Sequence, residues 1–102
     1  MSTGQELSLS LKIDSGSWNT AEVRDYRDPV VHTEGRVKFS NKFTSLPTVI
    51  VSLLSADVSN EYNFRVNVYA TDVNLEGFTV HVNSWADTKI YSCGVSWLAI
   101  GH

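Results

Sequence analysis

The sequence predicts an all-β protein, an antiparallel β-sandwich of about six strands. Apolar and polar residues alternate along several short segments, which is the two-residue period of a strand with one buried face. Clusters of turn-forming residues separate these segments, and no stretch shows the periodicity of a long amphipathic helix. A closed barrel remains the alternative, because alternation alone does not separate it from a sandwich.

The composition is that of one globular domain, to which we assign residues 1–102. Of its 102 residues, 42% are hydrophobic and 19% are charged. The formal net charge is −3 and the eight Lys and Arg residues are scattered, so we expect no nucleic-acid partner and no membrane insertion. The first 14 residues lack the apolar segment of a signal peptide. This predicts either cytosolic synthesis with non-classical release or a mature secreted form.

The first strand is predicted over residues 7–13, where leucines and Ile13 alternate with polar residues. Residues 14–18 are rich in Ser and Gly and predict a turn. Residues 19–33 have little periodicity, which predicts a long surface loop of the kind that often carries function.

Two further strands are predicted before the middle of the chain. Val37 and Phe39 indicate a short strand within residues 34–40. The apolar run over residues 48–56 is apolar on both faces, which predicts a central strand covered on both sides.

The C-terminal half predicts a hairpin and a last strand. The hairpin pairs residues 64–71 with residues 77–85 through a loop at residues 72–76, and the last strand covers residues 89–100. The predicted inward residues of the last strand are Tyr91, Cys93, Val95 and Trp97. The outward-facing side chains of the hairpin are large and few of them are charged, which favours a subunit interface over an ordinary solvent-exposed sheet face. It carries Arg65, Asn67, Tyr69, His81, Asn83 and Trp85.

The sequence gives little support to catalysis or metal binding. It has no nucleophile-elbow motif and no metal-ligand spacing, so we expect a non-enzyme with no cofactor and no metal. Cys93 is the only cysteine, and its strand position predicts a buried, inert thiol. Asp25 and Asp28 share the long loop with Arg24 and Arg27, whose charges should lower the carboxylate pKa values. Such carboxylates suit hydrogen-bond acceptors better than general acids.

Exposed aromatic residues next to charged side chains indicate sugar recognition. Trp85 precedes a predicted turn and Tyr91 follows it. Sugar rings present an apolar C–H face to aromatic rings, and their hydroxyls bond to carboxylates and guanidinium groups. Composition alone also allows a protein interface, because the same residue types are enriched there.

Four segments resemble the H-type lectin family, which includes a snail agglutinin for N-acetylgalactosamine and the lectin domain of the slime-mould discoidins. They are N-F-R-V at 63–66, G-F at 77–78, S-W-A-D-T-K-I-Y-S at 84–92 and V-S-W-L-A-I at 95–100. The similarity extends over about residues 18–100. It implies a six-stranded sandwich that assembles as a trimer, with a metal-free sugar site at the boundary between protomers.

The resemblance also implies the residues of the sugar site. The family's acidic, Arg, Trp and Tyr positions fall on Asp28, Arg65, Trp85 and Tyr91. The snail member has Gly and His where this chain has Tyr26 and Ala86, both near the acetamido group there. We therefore expect Tyr26, Ala86 and the adjacent Asp87 to tune specificity.

We thus expect a lectin for galactose or N-acetylgalactosamine-type sugars, made multivalent as a trimer or a multiple of three. Its partners would be glycans or glycoconjugates with terminal galactose-like sugars. The alternative is a non-catalytic protein-interaction or adhesive module on the same sandwich with a degenerate sugar site. A hydrolase is a remote third hypothesis.

Overall fold

The protein is a sandwich of six antiparallel strands in two three-stranded sheets, which confirms the predicted fold class. The computed structural model describes residues 10–102. The strands are β1 (Lys12–Asn19), β2 (His32–Lys38), β3 (Thr48–Val58), β4 (Asn67–Thr71), β5 (Gly77–Asn83) and β6 (Ile90–Gly101). One sheet has the order β1-β6-β3 and the other β2-β5-β4. Within residues 10–102, no helix has the length and apolarity needed to cross a membrane.

The two central strands supply most of the core, because each is paired on both edges and covered on its inner face. The buried residues confirm the predicted alternation throughout β5 and, from Cys93 onward, in β6. They are Phe78, Val80 and Val82 in β5 and Cys93, Val95, Trp97 and Ala99 in β6. Phe39 meets Phe43 edge to face at 5.0 Å and packs against Trp97 at 5.9 Å between ring centroids. These contacts join the sheets at one end of the sandwich.

Within the described residues, the first strand begins at Lys12. Leu11 and Ile13 are each 61% exposed, so the expected buried face is wrong for these two residues. Leu7 and Leu9 lie outside the described residues. Residues 14–18, predicted as a turn, belong to β1, because their backbone pairs with β6 from Ala99 to Val95.

Trp18 explains why a Ser- and Gly-rich segment forms a strand. Its side chain is buried against Gly35 of β2, where an added Cβ would lie 2.6 Å from Trp18 Cζ2. The indole therefore lies directly on the opposite sheet, and the glycine leaves room for it. The sequence pattern predicted Trp18 in a turn, because its contact with Gly35 involves a residue of another strand and leaves no local signal.

β3 lies at a sheet edge, so its predicted central position is wrong. Its partner β6 takes the centre by pairing with both β1 and β3. A shift in register leaves Leu54 unpaired, and Leu53 and Leu54 are 41% and 59% exposed. An apolar run alone does not distinguish an edge strand from a central one.

The hairpin is confirmed, with shorter strands than predicted. β4 pairs with β5, and the loop at residues 72–76 connects them. In this loop Asp72 has a φ of 52°. Val66, Val68 and Ala70 pack on the core as expected, whereas Phe64 is 43% exposed. β5 ends at Asn83, which releases the residues around Trp85 into a turn.

The outer face of β2-β5-β4 is a hydrogen-bonded polar surface within a single chain. The His81 ring stacks on Tyr69 at 4.6 Å, and its Nε2 lies 2.6 Å from Thr71 Oγ1. Asn83 Nδ2 donates to the Tyr69 hydroxyl at 2.8 Å. These groups therefore need no second protomer to form hydrogen bonds.

Candidate functional site

The predicted site residues gather at one end of the sandwich, around the long loop before β2 and the turn after β5. His32 is paired with Asn83, and the Ser84 amide donates to Val31 O at 2.8 Å. These two contacts hold the end of the loop against the start of the turn. The sequence predicted a loop over residues 19–33, and the structure adds a short 3₁₀ helix at Thr20–Glu22 within it.

Arg24 fastens this loop to β6. Its Nε donates to Thr33 Oγ1 at 2.8 Å, Nη2 to Ile90 O at 2.8 Å and Nη1 to Tyr91 O at 3.0 Å. The same Nη1 lies 3.5 Å from Asp28 O. One guanidinium group thus connects the backbone of Asp28 to that of Tyr91. The sequence placed Arg24 beside the acidic residues of the loop and did not reveal this role.

The two loop carboxylates have different environments. Arg27 donates to both oxygens of Asp25, with Nε at 2.9 Å from Oδ1 and Nη2 at 2.7 Å from Oδ2. This side-chain contact, with the Arg27 backbone amide, lowers the pKa of Asp25, as predicted. The Asp28 amide donates to Asp25 O at 3.1 Å, which fixes a tight turn. Within residues 10–102, the Asp28 carboxylate has neither a hydrogen bond nor an ion pair, so it remains available to a ligand.

Arg65 is held on the other side of the site by the turn after β5. Its Nη1 lies 2.7 Å from Asp87 Oδ1 and 3.2 Å from Thr88 Oγ1. Thr88 is buried and its hydroxyl donates to Asn63 O, which holds that hydroxyl in position against Arg65 Nη1. Thr88 therefore positions Arg65, a role that the sequence did not reveal although Thr88 directly follows Asp87.

The turn presents Trp85 to solvent. Thr88 N donates to Trp85 O at 3.4 Å, and Ala86 has a φ of 58°. Trp85 is 52% exposed, and Tyr26 in the long loop is 59% exposed. The Arg27 guanidinium lies over the Tyr26 ring at 5.6 Å from its centroid, while both rings keep surface exposed to solvent.

Tyr91 departs from the predicted alternation. The register of β3 against β6 passes from Ser92 to Ile90, so Tyr91 is the extra residue of a bulge. Ile90 points into the core and Tyr91 is only half-buried. A bulge changes the direction of the side chain at that position. The Tyr91 carbonyl also accepts a hydrogen bond from Arg24.

The structure therefore brings the predicted residues together in two groups. Arg65 contacts Asp87 of the turn that carries Trp85, while Asp28 and Tyr91 are connected through Arg24. No hydrogen bond or ion pair joins Asp28 to Arg65 within the described part of the chain. The surface of residues 10–102 holds no enclosed pocket and no group of side chains with the make-up of a metal site. A ligand here would lie on an open surface.

One alignment on the outer sheet face resembles a catalytic triad. His81 Nε2 lies near Thr71 Oγ1, and Nδ1 lies 3.7 Å from Glu34 Oε1. The Thr71 hydroxyl also donates to Asp72 Oδ2 at 3.1 Å, so a carboxylate competes for its proton. These residues lie on the outer face of β2-β5-β4.

Cys93 is buried, as predicted from its strand position. Burial raises the pKa of its thiol, and the charge of Arg24 opposes this change. The thiol therefore lies in the core beneath the site and is not presented to a ligand.

Comparison with known proteins identifies the family. The model of the H-type lectin domain matches residues 34–100, which is well over half of the chain. The chain belongs to the H-type lectin family. This confirms the resemblance seen in the sequence, and the domain is a carbohydrate-binding lectin domain.

Individual similar proteins share at most about a third of their residues with this chain. The protein named "ATP synthase subunits region ORF 7" of Fuscovulum blasticum is 31% identical over 99 residues, covering 96% of this chain and 80% of that protein. Two structures of discoidin II of Dictyostelium discoideum superpose with TM-scores of 0.74 and 0.77, at 16% and 17% identity. They cover 90% and 89% of this chain, which spans just over a third of discoidin II (37% and 36%). At this identity the likeness shows the shared fold.

Proposed function

We propose that this H-type lectin domain binds terminal galactose or N-acetylgalactosamine-type sugars, without a metal and without catalysis. One observation carries the proposal: the Asp28 carboxylate is unpaired within residues 10–102, although two arginines lie within four residues of it. A carboxylate left open in this way is a ready acceptor for sugar hydroxyls.

Each of the other proposed residues has a matching role. Arg65 donates to a hydroxyl with the nitrogens that do not contact Asp87. Trp85 and Tyr91 supply the apolar wall for the C–H face of the ring. Tyr26, Ala86 and Asp87 surround the ring and set which substituents are accepted. The site is shallow, so each sugar binds weakly and several copies are needed for strong capture.

Agglutination of cells tests the ligand class. We expect inhibition by galactose or N-acetylgalactosamine, little inhibition by glucose, and no loss of activity in EDTA. Equal inhibition by glucose would remove the support for recognition of an axial hydroxyl. Loss of agglutination in EDTA would contradict the metal-free site.

A substitution tests the position of the site. Asp28→Ala removes two charge-assisted acceptors, each worth about 1.5–3 kcal/mol when well formed, so detectable sugar binding should disappear. Asp72→Asn is the control, because it removes the same charge from the turn at the opposite end of β5. Binding by Asp28→Ala that equals the control would show that the site is elsewhere.

We propose that the lectin is a trimer or a multiple of three that assembles through the outer face of β1-β6-β3. The polar face of β2-β5-β4 was the surface predicted from sequence, but its side chains already bond to one another. The opposite face has three paired rows without a charged residue, aliphatic at one end and rich in serine at the other. They are Ile13–Ile100–Thr48, Ser15–Leu98–Ile50 and Ser17–Ser96–Ser52.

Uncharged, partly aliphatic faces of this kind are typical of subunit interfaces. Ile50, which is 52% exposed in one chain, lies on the edge strand β3 and pairs with Leu98 in the aliphatic part. Sedimentation should show that Ile50→Glu dissociates the oligomer and that Asn67→Glu, on the polar face, does not. The reverse result would restore the polar face as the interface, and a monomeric parent that agglutinates cells would contradict assembly altogether.

The alternative function is a protein-interaction or adhesive module with a degenerate sugar site. The exposed apolar residues around the loop favour it, since Val23, Val30 and Val31 are 52%, 43% and 45% exposed. A glycan array without hits, together with a specific protein partner in a pull-down that Trp85→Ala abolishes, would favour this alternative over the lectin.

A further inference from the structure

The contact between Arg65 and Asp87 leaves most of both polar groups unused. It joins one nitrogen to one oxygen, Nη1 to Oδ1 at 2.7 Å. Within residues 10–102, Arg65 Nε and Nη2 and Asp87 Oδ2 have no hydrogen-bond partner. The Asp87 side chain is 60% exposed and that of Arg65 is 27% exposed. An ion pair made only to hold the turn would gain more from the paired geometry that Arg27 and Asp25 adopt nearby.

These unused atoms form a matched donor and acceptor at the turn that also carries Trp85. Two neighbouring hydroxyls of a sugar can satisfy both, one donating to the carboxylate and the other accepting from the guanidinium group. Trp85 lies two residues before Asp87 in the same turn, with half of its surface exposed. Sugar recognition needs this combination of a charged pair and an apolar wall.

The supporting residues keep the pair in place before a ligand arrives. Thr88 is buried, bonds to Asn63 O and contacts the Arg65 nitrogen that also meets Asp87. Side chains held in this way lose less conformational freedom on binding, which raises the affinity that a small contact can give.

We propose that Asp87 is a sugar-binding residue that accepts a hydrogen bond from the hydroxyl next to the one bound by Arg65. The inference rests on the proposed lectin function and adds a second carboxylate to Asp28. Asp87 and Arg65 belong to one chain, so a vicinal diol is recognised by this pair without a neighbouring protomer. Asp28 then supplies the further affinity without which this single-chain contact is too weak to detect.

The test compares methyl galactoside with its singly deoxygenated analogues. Asp87→Asn retains an oxygen that accepts from Arg65 but loses the charge, so binding of methyl galactoside should weaken about fivefold or more. In the parent, removal of the hydroxyl that meets Asp87 should weaken binding about tenfold. In Asp87→Asn, the same removal should cost less than about twofold, because the partner of that hydroxyl is already impaired. Asp87→Ser provides a second variant with the same expectation, and Asp72→Asn is the control for a lost charge.

The outcomes separate this inference from the lectin function. A parent that binds no galactoside would overturn both. A parent that binds, with Asp87→Asn equal to Asp72→Asn, would overturn the inference and leave the lectin function intact. If Asp87→Asn weakens every analogue by the same factor, Asp87 acts only by placing Arg65, and the direct contact is refuted. The inference is supported if Asp87→Asn loses the affinity penalty for removal of one particular hydroxyl and keeps the penalties for the others.

Discussion

Arg24→Met should destabilise the protein far more than its loop position suggests. The substitution keeps an extended apolar side chain and removes the donors to Thr33 Oγ1, Ile90 O and Tyr91 O, at 2.8, 2.8 and 3.0 Å. A hydrogen bond from a charged donor contributes about 1.5–3 kcal/mol. The site is only partly buried, so water replaces some of these bonds, and we expect a loss of about 3 kcal/mol in the free energy of unfolding.

Thermal melting is the assay for this prediction. For a domain of this size, each 1 kcal/mol lowers the melting temperature by about 4–8 °C, so Arg24→Met should melt about 12–24 °C below the parent. Protein concentration must be the same for both, because assembly raises the apparent stability. Sugar binding should weaken as well, since Arg24 connects the backbone of Asp28 to Tyr91.

The neighbouring arginine provides the control. Arg27 is exposed and its side chain contacts Asp25 and the exposed Tyr26 ring, so Arg27→Met should change the melting temperature little. Arg24→Lys should fall between the parent and Arg24→Met, because one ammonium group reaches fewer carbonyls than a guanidinium fork does. Equal melting temperatures for Arg24→Met and Arg27→Met would refute the reasoning.

Three further predictions follow from the packing. Gly35→Ala places a Cβ 2.6 Å from Trp18 Cζ2 and should cost about 1–3 kcal/mol in urea unfolding; an unchanged midpoint would contradict this contact. Ala86→Gly relieves a φ of 58° and should raise the free energy of unfolding by about 0.5 kcal/mol, whereas a decrease would show that the turn is not strained. Burial raises the pKa of the Cys93 thiol, so the unfolded chain releases this proton first and stability should fall as the pH rises above about 8.5. Cys93→Ala should remove that part of the alkaline decrease, and equal slopes for both proteins would contradict it.

The sequence predicted the features that depend on neighbours along the chain. Alternation identifies which residues share a face of a strand, and for β5 and β6 it identified the buried residues Phe78, Val80, Val82, Val95 and Trp97. The turn after β5 and the exposed Trp85 were predicted as well, because turn formers interrupt the alternation there. The family was recognised from motifs in the same segments and is confirmed.

Only the tertiary structure decided the features that depend on partners far apart in sequence. β3 is an edge strand because β6 takes the centre, and Trp18 is buried because Gly35 of the other sheet leaves room for it. In the candidate site, Arg24 bonds to carbonyls 66 and 67 residues away, and Arg65 meets an aspartate 22 residues away. A local pattern records the period of a strand and not its pairing. The sequence therefore supplied candidate site residues, and the fold decided that the Asp25 and Asp87 carboxylates are paired while that of Asp28 is not, within residues 10–102.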